Sequence, residues 1–371
     1  MARLGAGVRK RTDGTFEKRF TINGKRYSVY GKSQKELTEK ELETRKKIEA
    51  RIYTENRNIT MDGFFEEFIK NKRNHAKSNT IRSYNCYYYK HISPALGKRK
   101  IQKIEHREIQ NFQLELAENY TISTANHVFK VLNVILNEAV TADIIVKSPA
   151  YGIKAMRETG LKATETIHRA LTLEEQKAFM NEAKNDYLYN FIAMLLCSGL
   201  RSGEAAALSW SDIDYKENVI HITKTLTYSE AGQIIIGNTP KTEAGRRDIP
   251  LTNTLKRILK SHRKTIKGLY QIDGLIFRTS YGSMIYSHAI NRAIEDTLRR
   301  LEEKGVHIEH FTAHALRDTY ATRFIENGGS PQTLKVILGH SSLAMTMDLY
   351  AHVLPNTKQK EAEGIDFDIA L

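Results

Sequence analysis

Only two cysteines, Cys86 and Cys197, occur among the 371 residues, and they lie far apart. They supply neither a disulfide framework nor a cysteine-rich zinc site, and they fit a reducing cytoplasm. No stretch approaches the ~18 consecutive apolar residues of a membrane span. Met1 to Lys10 lacks the apolar core of a secretion signal, so the chain is expected to be neither exported nor anchored. Internal repeats and low-complexity tracts are also missing, which leaves ordinary domains to fill the length. For 371 residues these should number two or three, each large enough to bury a core. Acidic residues are the remaining shortage: 43 Asp plus Glu stand against 57 Lys plus Arg, a formal charge of +14. That excess points to a polyanionic partner, nucleic acid first, against the plainer reading that charge only maintains solubility.

What is present falls into successive segments. The first thirty residues hold eight cations, Arg3, Arg9, Lys10, Arg11, Lys18, Arg19, Lys25 and Arg26, against Asp13 and Glu17. Asp13-Gly14 and Asn23-Gly24 tolerate positive φ at turn centres. They separate short runs containing Phe16, Phe20, Ile22, Tyr27 and Val29, which reads as a three-stranded antiparallel meander. Ser33 and Glu36 form a capping box that opens a charged helix towards Arg51. Such a module over residues 1–55, with Arg and Lys outward, suits entry into a DNA groove; a solvated basic sheet without a ligand is the alternative.

From 58 to 150 the period becomes helical. Thr60 caps a helix carrying Phe64, Phe65 and Phe68, and Ile81, Tyr84, Tyr88 and Ile92 fall on a second. A third runs near Arg107 to Asn119 and a fourth from about Ser123 to Ala142. Lys70, Lys77 and Arg82, with Lys72 and Arg73, lie on polar faces as candidate DNA contacts, although charge runs are usually solvated faces. Residues 151–168 lack a period and read as a linker. Thr172 and Glu175 then cap the first helix of a mixed, mainly helical segment over 169–355. Its strands are expected at Val219 to Lys224, Gln233 to Ile236 and Arg247 to Pro250. Residues 356–371 form a short acidic tail whose alternating Ile365, Phe367, Ile369 and Leu371 suit docking on a neighbouring surface.

Chemistry concentrates in five ordered pieces of the last segment: Gly199 to Glu204, Pro240 to Thr242, His314 to Arg317, Leu338 to His340, and Tyr350. They hold two arginines, a lysine, two histidines and a tyrosine, with no acidic metal cluster beside them. Cleaving a phosphodiester without a metal puts growing negative charge on the nonbridging oxygens. Planar, permanently charged guanidiniums are the best substitute for a divalent cation there, and Arg201 and Arg317 fit. A tyrosine hydroxyl, with a pKa of about 10, needs a base nearby, for which His314 is the candidate. The leaving 5′ oxygen needs a proton. Lys241, between two expected strands, fits that task, and Lys224 on the preceding strand is its rival.

These residues carry a resemblance. The stretches SGLRSGEAAALSW, TPKTEAGRRDIPL, HALRDTYATRF and ILGHSSLAMTMDLYAHV resemble, in order and approximate spacing, the signature boxes of the tyrosine recombinases. The N-terminal meander is similar to the arm-site-binding domain of integrases from phages and conjugative transposons, and the helical segment to their core-binding domain. The resemblance implies a multidomain α+β chain: a three-stranded β-meander with helix, a helical core-binding bundle, and a mainly helical α/β catalytic domain. It implies that Arg201, Lys241, His314, Arg317 and His340 surround the scissile phosphate, that Tyr350 attacks it to give a 3′-phosphotyrosine and a free 5′ hydroxyl, and that Glu204 orients the first arginine box. Energy kept in that ester makes ATP and metal unnecessary, so no cofactor is expected. The implied partners are duplex DNA attachment sites, a homotetramer assembled on them, and an excisionase or DNA-bending host factor, with the protein cytoplasmic and associated with the nucleoid. Asp318 stands where many members have His, which alters a supporting hydrogen bond rather than a catalytic role.

Rival readings of the same residues fail on particular features. A topoisomerase shares the chemistry but has no use for an accessory DNA-binding module. A non-catalytic DNA-binding protein would not need nucleophile, arginines, lysine and histidines together. A zinc site is suggested by His310 and His314, four apart as on a helix, but Phe311 occupies the place where the zinc-protease pattern has Glu. Cys197, beside the apolar run Phe191 to Leu196, reads as packing rather than as a nucleophile.

Overall fold

Asp13-Gly14 turns the chain between β1 (Val8–Lys10) and β2 (Phe16–Ile22), with Gly14 at φ 82°. β2 pairs antiparallel with β3 (Lys25–Gly31), so the meander has the order β1-β2-β3. The computed structural model describes residues 7–22, 25–49, 59–157, 169–237, 245–265, 274–279 and 281–347. It divides into two compact units, Met1–Lys162 and Ala163–Leu371. The Asn23-Gly24 turn, Lys241, Tyr350 and the tail from 356 lie outside the described residues. Among the described residues no helix is long and apolar enough to cross a membrane.

Strand register sorts the basic residues of the meander into two faces, because side chains alternate. Phe20 and Val29 are buried with Leu37 of α1 (Gln34–Glu49), and Lys18 shares their face, bonded to Glu41 of that helix at 2.5 Å. Opposite lie Arg9, Arg19 and Arg26, which alternate away from Phe20 and Val29 and are exposed. Arg11 stacks over Tyr30 on this open side, 5.3 Å from the ring centroid. Lys10 belongs by register to the helix side and reaches over Phe16. The side chain of Lys25 is outside the described set. Ser33 caps α1 through the Glu36 amide at 3.2 Å, while the Glu36 carboxylate takes the Lys32 amide at 2.7 Å.

The helical bundle follows. Thr60 accepts from the Gly63 amide at 3.2 Å and starts α2 (Met61–Lys72). Next come α3 (Ser78–Tyr87), α4 (His106–Asn119) and α5 (Ile122–Thr141), packed around Phe65, Phe68, Ile81, Tyr88, Ile109, Leu132 and Ile135. The expected second helix is not uniform. Its α-type winding ends at Tyr87 and Tyr88–Gly97 continues as a π-helix around Pro94, which lacks the amide an α-helix interior would use. Tyr88 still enters the core, stacked 3.5 Å from Phe65 and donating to Asp62 at 2.8 Å. Lys70, Lys77 and Arg82 are exposed, whereas Lys72 pairs with Glu138 at 2.8 Å. The start of the segment read as a linker docks on this bundle: Ile153 and Met156 pack against its core, and the Met156 amide bonds to Asn126 at 2.9 Å.

In the second unit, Thr172 and Glu175 make the expected reciprocal box at the start of α6 (Leu173–Ala183). The central element is α7 (Tyr189–Ser198), whose Asn190 to Leu196 are all buried, as befits a helix apolar on every side. Each such Leu, Ile, Met or Phe contributes roughly 1.5–3 kcal/mol by leaving water. The short α8 (Ser202–Ala206) follows. Strands β4 (Ile213–Asp214), β5 (Val219–Ile222) and β8 (Arg247–Pro250) form one antiparallel sheet, and β6 (Thr225–Tyr228) with β7 (Ile234–Gly237) a separate ribbon. The strand expected through Lys224 thus ends at Ile222, and β4 and β6 add to the expected set. Lys224 lies in the connection between two sheets, where its ammonium is held 3.0 Å from both Asp212 and Ser209. Helices α9 (Asn253–Thr265), α10 (Ser287–Glu303), α11 (Ala313–Glu326) and α12 (Pro331–Leu338) complete the unit.

Candidate active site

Two helices of the second unit end on glycine in the left-handed conformation, Gly199 after α7 at φ 66° and Gly339 after α12 at φ 65°. Glycine adopts that conformation without a Cβ penalty, and the turn exposes the last helical carbonyls. At Gly199 space also requires it: a Cβ would stand 2.5 Å from Cδ1 of Tyr320 and 2.9 Å from Cδ2 of Leu338. The two helix ends are therefore pressed together with α11, and the exposed carbonyls are taken by arginines.

Arg317, buried on α11, donates to the Gly199 carbonyl at 2.7 Å and to the Leu338 carbonyl at 2.6 Å. Burial, and then the positive charge of Arg201, pull its pKa below the arginine range to about 9, so it remains protonated at neutral pH. Arg201, immediately before α8, donates to the Gly339 carbonyl at 3.2 Å and to Glu204 Oε1 at 2.9 Å, with its side chain 42 % exposed. The Glu204 carboxylate is buried. Burial works to raise its pKa, but the hydrogen bond from Arg247, with the charges of Arg247 and Arg201, outweighs it and leaves the pKa lowered. His340 follows Gly339 and is buried, its Nδ1 3.0 Å from the Thr346 hydroxyl. Its pKa falls to about 4, through burial first and then the charges of Arg317, Arg201, Arg247 and His314. His314 is exposed, one turn before Arg317 on α11.

The structure thus gathers Arg201, Glu204, Arg317 and His340, with His314 close enough to act on His340. The zinc geometry is corrected: His310 precedes the helix that carries His314 and lies 3.7 Å from Glu295. Cys197 is partly buried against the core, which raises its thiol pKa. One site residue escaped the sequence reading. Arg247, at the start of β8, fills the same gathering with both of its terminal nitrogens on Glu204. A signal existed, because along β8 Arg247 and Ile249 point inward while Asp248 and Pro250 point outward. A cation on the apolar side of a strand demands a buried partner. The carbonyl acceptors left no such trace.

Comparison with known proteins matches residues 169–357 to the Phage integrase family and 60–117 to the phage integrase N-terminal SAM-like domain. The ICEBs1 integrase of Bacillus subtilis is 26% identical over 340 residues, 90% of each chain. The transposase from transposon Tn916 of Enterococcus faecalis is 28% identical over 73% of this chain and 69% of its own. Among solved structures, the Tn1549 transposon integrase in complex with transposon right end DNA shares the fold at a TM-score of 0.69. It is 23% identical and covers 82% of this chain and 99% of its own. A lambda integrase tetramer bound to a Holliday junction superposes at 0.60, 18% identical, over 100% and 99%.

The depressed pKa of His340 has a consequence for stability. Below its ordinary value of 6.5 the unfolded chain binds a proton that the fold refuses until about pH 4. Stability therefore rises with pH across that window and is lost as pH falls through it. In urea denaturation at about pH 4.5 and about pH 7, the wild type should lose on the order of 2–3 kcal/mol more than His340→Gln. Equal losses in both proteins would remove His340 from this account.

Proposed function

The chain belongs to the phage integrase family, the tyrosine recombinases that cut and rejoin DNA to integrate and excise mobile elements, and we propose that Tyr350 is its nucleophile. The observation that carries this reading is the convergence of Arg201 and Arg317 on adjacent carbonyls, Gly339 and Leu338, one and two residues before His340. Tyr350 follows ten residues later in sequence. In the proposed step the Tyr350 oxygen attacks phosphorus as His314 accepts its proton. A 3′-phosphotyrosine ester forms, the bond to the 5′ oxygen breaks, and Lys241 protonates that oxygen. Attack by a partner strand's 5′ hydroxyl reverses the step and rejoins DNA, with no cofactor consumed. Arg317 uses two of the five N–H donors of a guanidinium on carbonyls, leaving others for the nonbridging oxygens. Such donors, fixed before reaction, stabilise developing charge without reorganising. His340, neutral at pH 7, serves in this scheme as a hydrogen-bond donor through Nε2, which assigns the Thr346 hydroxyl, 3.0 Å away, as donor to Nδ1. The Lys224 ammonium is already bonded to Asp212 and Ser209 within the fold, which favours Lys241.

The reading extends to assembly. Residues 1–55 hold accessory arm-type sites, 58–150 and 169–355 clamp the crossover site, and 151–168 join them. Four protomers act together on paired attachment sites, in the company of an excisionase or DNA-bending host factor, in the cytoplasm at the nucleoid. The acidic tail, 356–371, docks on a neighbouring protomer.

Incubated with a nicked suicide substrate and no Mg²⁺, the wild type should form an SDS-resistant adduct, and Tyr350→Phe should bind DNA without reacting. An adduct retained in that variant would overturn the assignment. Lys241→Ala should regain cleavage on a 5′-bridging phosphorothioate, since sulfur leaves without a proton; rescue of Lys224→Ala instead would transfer the acid's role to Lys224. For the meander, changing Arg9, Arg19 and Arg26 together to Ala should weaken accessory-site binding about tenfold or more and flatten its salt dependence by up to about 0.9 per lost phosphate contact. Core-site cleavage should persist, and equal loss of both would place the sheet in the core clamp.

A further inference from the structure

Arg247 belongs to none of the residues assigned a task so far, yet it is the most completely engaged side chain of the site. Its Nε donates to the Ile337 carbonyl at 2.6 Å, one terminal nitrogen to Glu204 Oε1 at 3.2 Å and the Gly245 carbonyl at 3.1 Å, and the other to Glu204 Oε2 at 2.8 Å. Both it and Glu204 are only 3 % exposed. The same carboxylate also receives Arg201, through its side chain at 2.9 Å and its backbone amide at 3.0 Å.

We propose that Arg247 is a positioning residue for the recombination step, setting both the place and the effective charge of Arg201. This rests on the reading that Arg201 holds the scissile phosphate. The argument is one of charge. Glu204 carries one negative charge and serves two guanidiniums. With Arg247 neutralising it from the buried side, Arg201 keeps most of its positive charge for a phosphate on its exposed side. Without Arg247, the carboxylate is left in a dry site with Arg201 as its remaining side-chain cation, and the attraction is strong at low dielectric. Arg201 is then drawn back into an internal ion pair that competes with the phosphate. Arg247 also fixes the Ile337 carbonyl, two residues before the Gly339 carbonyl on which Arg201 rests. Arg247 touches neither phosphate nor tyrosine in this scheme; it acts through Glu204 and the end of α12.

The experiment is single-turnover adduct formation on a suicide core site, with DNA affinity measured in parallel. Arg247→Met should slow adduct formation about 100-fold, the scale of a lost preorganised donor, while the Kd for DNA changes less than about threefold. Adding Glu204→Gln to Arg247→Met should restore part of the rate by removing the stranded carboxylate. In an Arg201→Ala background, Arg247→Met should cost no further rate, because the two act as a unit. Should Arg247→Met fail to fold, Arg247→Lys and Arg247→Gln carry the test: the lysine keeps a cation beside Glu204 and should form adduct faster than the glutamine, with the Kd for DNA within about threefold of wild type in both, and equal rates in the two would overturn the proposal. Wild-type rates in Arg247→Met, or penalties that multiply with Arg201→Ala, would overturn the proposal. Tyr350→Phe and Arg201→Ala run alongside; unimpaired adduct formation in those two would instead overturn the active-site reading itself.

Discussion

Three guanidiniums on three successive carbonyls are what the catalytic unit is built around. Ile337, Leu338 and Gly339 end α12, and their oxygens accept from Arg247, Arg317 and Arg201 in turn. Like charges do not gather in a dry interior unless something negative holds them. The end of a helix offers about half an elementary charge of negative potential, and here α7 adds the Gly199 carbonyl to that of α12. Among the described residues, Glu204 supplies the full negative charge that touches two of the three. Three guanidiniums against one carboxylate leave the balance positive, as the proposed binding of a phosphodiester would require.

That constraint reaches into parts of the fold far from any reacting atom. The end of α7 can meet α11 and α12 only without a side chain at its turn, and the 2.5 Å approach of Tyr320 to the missing Cβ of Gly199 is the measure of it. α7 must be buried on every side so that its end is held still, which its run of Phe191, Ile192, Met194 and Leu195 achieves. β8 must enter with a charged residue inward, against the usual pattern of a half-buried strand, because Glu204 needs Arg247.

Much of this was legible in the chain. Thr60, Thr172 and Ser33 announced helix starts that the structure places where their hydroxyls could accept an amide. Asp13-Gly14 announced a turn, and Arg201, Glu204, Arg317 and His340 announced a site by residue type and order. The rest was hidden for physical reasons. The split at Tyr87 depends on how Pro94 is accommodated several residues later, which apolar spacing does not register. Val219 to Lys224 reads as one strand, but β5 stops at Ile222 and the chain leaves one sheet for another at Lys224, whose ammonium is held by Asp212 and Ser209. The carbonyls that hold the arginines belong to backbone that every residue possesses, so the oxygens of Gly199, Gly245, Ile337, Leu338 and Gly339 have no sequence signal at all.

The division of labour between arginines and histidines follows from the same charge balance. Burial first, and then the charges of Arg317, Arg201 and Arg247, disfavour an imidazolium here and bring the pKa of His340 down to about 4. The permanent charge is therefore assigned to groups that do not titrate near neutral pH, while His340 stays neutral and contributes direction through its bond to Thr346. His314, exposed at the start of α11, lies at the edge of this field rather than inside it. Solvent reaches that imidazole, whereas the ring of His340 is closed off beside the arginines, so the two histidines of the site stand in opposite surroundings.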